Sequence, residues 1–167
     1  VAFNIIVNSF NETSTMLICK YSPINSIDLS DTSKTAYRVF DSNGPIALTD
    51  IKEDDVISVA PSKYKKDGIQ IYYLYRSDVK EEVVLNSKDE NSNVVSTDEK
   101  DYNISPTYLK SNSNISKLIK LNYTYKVYLN TFGDIAYVEA LANTGVEYAY
   151  LLNLMQQNSN EEVKLAL

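Results

Sequence analysis

Two pairs of tyrosines are the side chains best spaced to do chemistry in this sequence. Tyr73 and Tyr75 end the run Ile69-Gln70-Ile71-Tyr72-Tyr73-Leu74-Tyr75, and Tyr123 and Tyr125 open Tyr123-Thr124-Tyr125-Lys126-Val127-Tyr128-Leu129. Side chains alternate across an extended strand, so the two rings of each pair point the same way. Exposed, such rings could stack on the apolar faces of sugars, which makes Tyr73, Tyr75, Tyr123 and Tyr125 the candidate ligand-binding residues. The competing assignment is cross-strand packing in a half-buried sheet, where aromatic residues are favoured. The chain has 14 tyrosines but no tryptophan, the larger stacking platform, and that balance favours packing.

Carboxylates form the second group. Asp54-Asp55, Asp89-Glu90, Asp98-Glu99 and Asp101 offer pairs that an Asp/Glu-dependent glycan hydrolase could use, provided folding holds two of them roughly 5–10 Å apart. Solvated loop charge is the favoured account of them. The stretch from Lys88 to Asp101 has no glycine at which a calcium loop could turn. With no histidine and a single cysteine, zinc ligation and the usual base for a serine or cysteine nucleophile are both missing. Ser62-Lys63-Tyr64-Lys65 has Ser-x-x-Lys spacing, but in an expected hairpin tip and not at the head of a buried helix. Cys19, in the apolar Met16-Leu17-Ile18-Cys19, is expected to be a buried structural thiol. The residues therefore assign no catalytic group, no metal and no cofactor, and the chain reads as a non-enzyme.

The elements that must position these side chains are short strands. Phe3 to Val7 and Met16 to Cys19 read as strand, turn, strand, and Thr35 to Phe40 alternates again. Pro23 interrupts the polar stretch from Ser22 to Lys34. Asp41-Ser42-Asn43-Gly44-Pro45 signals a turn, and Asp67-Gly68 closes a hairpin between Val56–Ala60 and the tyrosine run. Val79 to Leu85 is a further strand, whereas the polar stretch from Asn86 to Asp101 is expected to be a long exposed loop or hairpin tip. Tyr102 to Ile104 is a short strand, and Pro106 opens a short helical turn. Tyr123 to Leu129 and Ile135 to Leu141 make a hairpin across Asn130 to Gly133, while Tyr148 to Gln157 could be strand or helix.

Charge and length bound the partners. The net charge of −6 argues against nucleic acid, whose phosphates want a basic face. No apolar run approaches the roughly 18–20 residues of a membrane span. The start at Val1 and the strand-like Val163-Lys164-Leu165-Ala166-Leu167 read as a piece of a longer protein, so the lack of a targeting segment says nothing about location.

Ile51-Lys52-Glu53-Asp54-Asp55-Val56-Ile57-Ser58-Val59-Ala60, then Glu99 to Tyr108, then Lys126 to Val138 form a linear pattern. It resembles a module of surface-layer-type and cell-wall-anchored proteins of Gram-positive bacteria. The pattern covers Ile51 to Leu141, with two departures: Asp54 stands where the family has glycine, and Val79 to Val84 is charged where a glycine-rich strand is usual. The resemblance implies a barrel-like, OB- or SH3-like module within an extended surface protein, located outside the cell or in the wall. It supplies no catalytic residues.

The expected fold is thus mostly β, a small barrel-like or sandwich module of short antiparallel strands with at most one or two short helices. Residues 1–50 are read as a partial β-subdomain and 51–141 as the barrel-like module. Residues 142–167 are read as the start of a further segment, with Val163 to Leu167 pairing to the strands of residues 1–20. The expected role is a structural or adhesion spacer within a larger cell-surface protein, its partners being neighbouring domains, cell-wall glycan or a host or surface protein. A wall-carbohydrate-binding module using the tyrosine face is the second reading, and a glycan hydrolase the third.

Overall fold

A computed structural model of the chain describes residues 3–20, 24, 26–112 and 119–142. In chain order the strands are β1 (Phe3–Asn11), β2 (Met16–Lys20), β3 (Ser26–Asp28), β4 (Thr35–Asp41), β5 (Gly44–Ile46), β6 (Val56–Pro61) and β7 (Gln70–Ser77). They continue as β8 (Lys80–Leu85), β9 (Ser87–Asp89), β10 (Val94–Ser96) and β11 (Asp101–Asn103), followed by a helix, α1 (Pro106–Asn112), then β12 (Tyr123–Leu129) and β13 (Ile135–Ala142). A 3₁₀ turn covers Leu48–Asp50. The protein is mostly β, as its alternating runs require, and no described helix is long and apolar enough to cross a membrane.

Strands β1 to β7 form one seven-stranded sheet in the order β3-β2-β1-β6-β7-β4-β5. Its pairs are antiparallel except β4 with β7, which run parallel from Thr35↔Gln70 to Phe40↔Tyr75. The Asp67-Gly68 hairpin has left-handed backbone at both residues, φ 52° and 81°, a turn whose twist matches that of the strands it joins. One face of the sheet buries Ile5, Val7, Leu17, Ile57, Val59 and Leu74 in a single apolar cluster. Ile27 from one margin and Ile46 from the other join that cluster, so the sheet curls over its own core.

The curl does not close. Among the described residues β3 and β5 have no further partner strand, so the mostly-β module of short strands expected from the sequence is an open sheet, without barrel closure. A three-residue β5 containing Pro45 presents few ladder groups, which explains why that margin does not extend the pairing.

The remaining strands form two three-stranded sheets, β11-β10-β9 and β13-β12-β8. The stretch from Asn86 to Asp101, expected as a long loop or hairpin tip, holds the short β9–β10 hairpin and the start of β11, folded back so that Val95 and Tyr102 reach a second core with Leu85, Tyr108, Tyr125 and Ile135. Pro106 sits at the first position of α1, where its missing N–H is no loss. The sequence set 1–50 apart from 51–141. The large sheet instead takes β6 and β7 between β1 and β4, and the passage to the other sheets falls at Asp78-Val79.

The two cores meet at a third cluster, where Ile6 and Val56 of the large sheet pack on Tyr128 and Ala136. Burying side chains of this size contributes about 1.5–3 kcal/mol each. Beside it runs a half-buried polar chain in which Ser58 and Ser105 are the buried members. The Asn4 amide donates to Ser105 Oγ (2.6 Å) and accepts from Ser58 Oγ (2.8 Å), and Ser58 Oγ lies 3.4 Å from Thr131 Oγ1. Both neighbours of β1 are taken, by β2 and β6, and both of β2, by β1 and β3. The expected pairing of Val163 to Leu167, and the segment Tyr148 to Gln157, lie outside the described residues.

Candidate functional site

The two tyrosine pairs separate. Tyr73 and Tyr75 lie on the face of β7 opposite the fully buried Leu74. Tyr75 is 40% exposed, and its ring stacks on Phe40 of the adjacent strand at 5.5 Å between centroids. Tyr123 and Tyr125 do not form an outward platform. Tyr125 is 3% exposed within the second core, its hydroxyl accepting from the Lys120 N–H at 2.8 Å, and Tyr123 is half-buried against that core. The reason is the sheet's own alternation: Tyr125 shares its face with the buried Val127 and Leu129.

Other tyrosines act as anchors between elements. Tyr102 donates to Glu81, Tyr128 donates to Glu139 at 2.9 Å, and the Val138 N–H reaches the Tyr108 hydroxyl at 3.4 Å. Burial and then the Glu81 bond push the Tyr102 phenol up to about 12. Tyr128 is raised for the corresponding reasons. A tyrosine inside an apolar alternating run signals the burial of Tyr125 and Tyr128. Nothing in the linear sequence names their hydroxyl partners.

The candidate carboxylates Asp54, Asp55, Asp89 and Asp98 each take a structural partner. Asp54 pairs with Lys20 at 2.7 Å, as does Glu53 at 2.8 Å. Burial of Lys20 opposes its charge, but the two carboxylates outweigh it and raise its pKa. Neighbouring Asp55, 2% exposed, lies 3.1 Å from Arg76 Nε and accepts the Lys52 N–H at 2.8 Å. Burial pushes the Asp55 carboxyl above the usual range, against the pull of that N–H and of Arg76. Asp89 caps the turn at Ser92, and Asp98 accepts from Asn86. Among the described residues no three acidic or thiol groups come together to hold a metal.

The Ser62 hydroxyl serves its hairpin, donating to the Tyr64 carbonyl and accepting from Gln70. Cys19 packs half-buried on the first core, and burial pushes its thiol up to about 11, far from a reactive thiolate.

The concave feature that sequence reasoning missed is a cleft of about 480 Å³ where the large sheet meets the β12–β13 turn. It is lined by Asp41 at the end of β4 and Asn43 of the β4–β5 turn, by Tyr75 of β7 and Asp78 just after it, and by Asn130 and Thr131 of the β12–β13 turn. Asn130 is 5% exposed and holds its turn rigidly, its Oδ1 accepting from the N–H groups of Phe132 (2.9 Å) and Asp134 (3.0 Å). Asp41 does the same for the β4–β5 turn, accepting from the Asn43 and Gly44 N–H groups. Each of these segments reads as a turn or strand end in the sequence. Tertiary contacts between the two parts, among them Ser58 with Thr131 and Asn4 with Ser105, bring them together. The chain matches no family model, no curated protein and no solved structure, so the site rests on its own geometry.

Proposed function

We propose that this chain is a non-catalytic structural or adhesion module of a larger bacterial cell-surface protein, acting outside the cell or in the wall to space or present its neighbours. The observation that carries this reading is the half-buried polar chain Ser105–Asn4–Ser58–Thr131, in which Ser58 and Ser105 are buried and which ties one sheet to the other beside the Ile6–Tyr128 contact. A spacer must hold its two ends in a fixed relation, and a connected polar network favours one arrangement over others. The commitment of Asp54, Asp55, Glu81 and Asp98 to structural partners supports the same reading. Incubating the chain with bacterial cell-wall sacculi and assaying new reducing ends tests it. No release above the blank is expected, and release abolished by one Asp or Glu substitution would make the protein a hydrolase instead.

A second reading, a module that binds wall carbohydrate, is favoured by one observation: Tyr75 keeps its ring at the surface, backed by Phe40 and on the same face as Tyr73. The chain should then co-sediment with sacculi, and Tyr75→Ala should lower retention while leaving the melting transition in place. A chain that stays in the supernatant ends this reading and leaves the spacer.

A further inference from the structure

We infer that the cleft between the sheets is a binding site for an uncharged saccharide, taken in one sugar ring at a time against Tyr75. This rests on the carbohydrate reading above and gives it a place and a ligand class. The volume of about 480 Å³ falls within the roughly 300–1,000 Å³ usual for small-ligand sites. The lining combines what a pyranose needs. Tyr75 offers an aromatic face stiffened by Phe40 at 5.5 Å, against which the axial C–H groups of a sugar can lie. Around it stand hydroxyl, amide and carboxylate groups able to bond hydroxyls as donors or acceptors: Thr131, Asn43, Asp41 and Asp78.

The amide of Asn43 and the hydroxyl of Tyr75 have no hydrogen-bond partner among the described residues. Both turns are pre-set by Asn130 and Asp41 through backbone N–H groups, so little ordering remains for a ligand to impose.

Charge selects against anions. Asp41 and Asp78 both line the cleft, while its one cation, Arg76, is committed to Asp55, to Asp78 at 2.9 Å and to the Asp50 carbonyl. A phosphate, sulfated sugar or uronate would meet two carboxylates and no spare guanidinium. Because Asn43 and Tyr75 come from the large sheet and Thr131 from the β12–β13 turn, the site exists only while the two parts are docked.

Calorimetric titration of the full chain with chitotetraose, cellotetraose and maltotetraose, and with tetragalacturonate as the anionic counterpart, tests this. At least one neutral tetrasaccharide should bind and tetragalacturonate should not. Tyr75→Ala should weaken that binding roughly tenfold, the scale of one aromatic stacking contact. Asn43→Ala and Thr131→Val, which leave the Tyr75–Phe40 stack in place, should each weaken it severalfold. Tyr64→Ala, 75% exposed and not among the cleft residues, should leave it unchanged.

Failure of all three neutral sugars to bind, equal binding of tetragalacturonate, or unchanged affinity in both Tyr75→Ala and Asn43→Ala would each overturn the assignment. Sacculus retention separates this from the broader reading. Retention that survives the cleft variants but is lost in Tyr73→Ala moves the glycan site elsewhere, whereas no retention by the parent chain removes the carbohydrate reading altogether.

Discussion

Arg76 carries more than one duty at the level of single side chains. It lies beside the buried Asp55, bonds Asp78 and reaches the Asp50 carbonyl, while its Nε sits 3.1 Å from Asp55 without the alignment of a hydrogen bond. Removing one partner of a buried ion pair leaves an uncompensated charge. Arg76→Ala should therefore cost about 3–5 kcal/mol in urea denaturation, and Arg76→Ala/Asp55→Asn should recover part of that loss. A double variant as unstable as the single one would mean that the guanidinium matters for packing alone.

The Tyr102–Glu81 bond makes a pH-dependent counterpart. Tyr102 and then Lys100 hold the Glu81 carboxyl below its usual 4.5, and Tyr102 itself is raised from 10.0 to about 12. A depressed acid gives stability above its unfolded value that is lost as pH falls through the folded one. A raised phenol gives stability below its unfolded value that is lost as pH rises through the folded one. Tyr102→Phe should thus cost about 1 kcal/mol at neutral pH, Glu81 being partly exposed, and should flatten the loss of stability on both limbs of the profile. Denaturation midpoints of both proteins across acid and alkaline pH check this, and parallel profiles would deny the coupling.

Among the elements, the turns store a readable strain. Thr15, between β1 and β2, has φ 48°, a left-handed conformation that is costly for a β-branched residue. Thr15→Gly should raise stability by about 1 kcal/mol, seen as a melting temperature several degrees higher. A lower melting temperature would show that the Thr15 side chain contributes more than its backbone costs. Asp54 also sits in the left-handed region, at φ 69°. Asp67-Gly68 and Pro106 were legible because turn and cap chemistry are local. β9 to β11 were not, because three-residue strands of Ser, Lys, Asp and Asn carry no apolar alternation, and only Val95 and Tyr102 face inward. The four tyrosines show the same limit. Alternation put each pair on one face correctly, but which face is covered depends on packing between sheets.

At the scale of the whole molecule, Asn4 is one polar link between the two parts, beside the Ile6–Tyr128 cluster, holding Ser58 with one side-chain atom and Ser105 with another. Asn4→Ala should leave both buried hydroxyls short of a partner, at about 1–3 kcal/mol, and speed amide exchange at the junction more than in either core. Uniform acceleration would mean that the two parts open together whatever the link. The mostly-β class and most strand positions follow from the sequence. The open sheet, the parallel β4–β7 pair and the cleft do not, since each depends on contacts between residues far apart in the chain. The central claim, a module displayed at the bacterial surface, is tested most directly with an antiserum raised against the purified chain. Intact cells of the source organism should be labelled as strongly as permeabilised ones. Labelling that appears only after permeabilisation would contradict it.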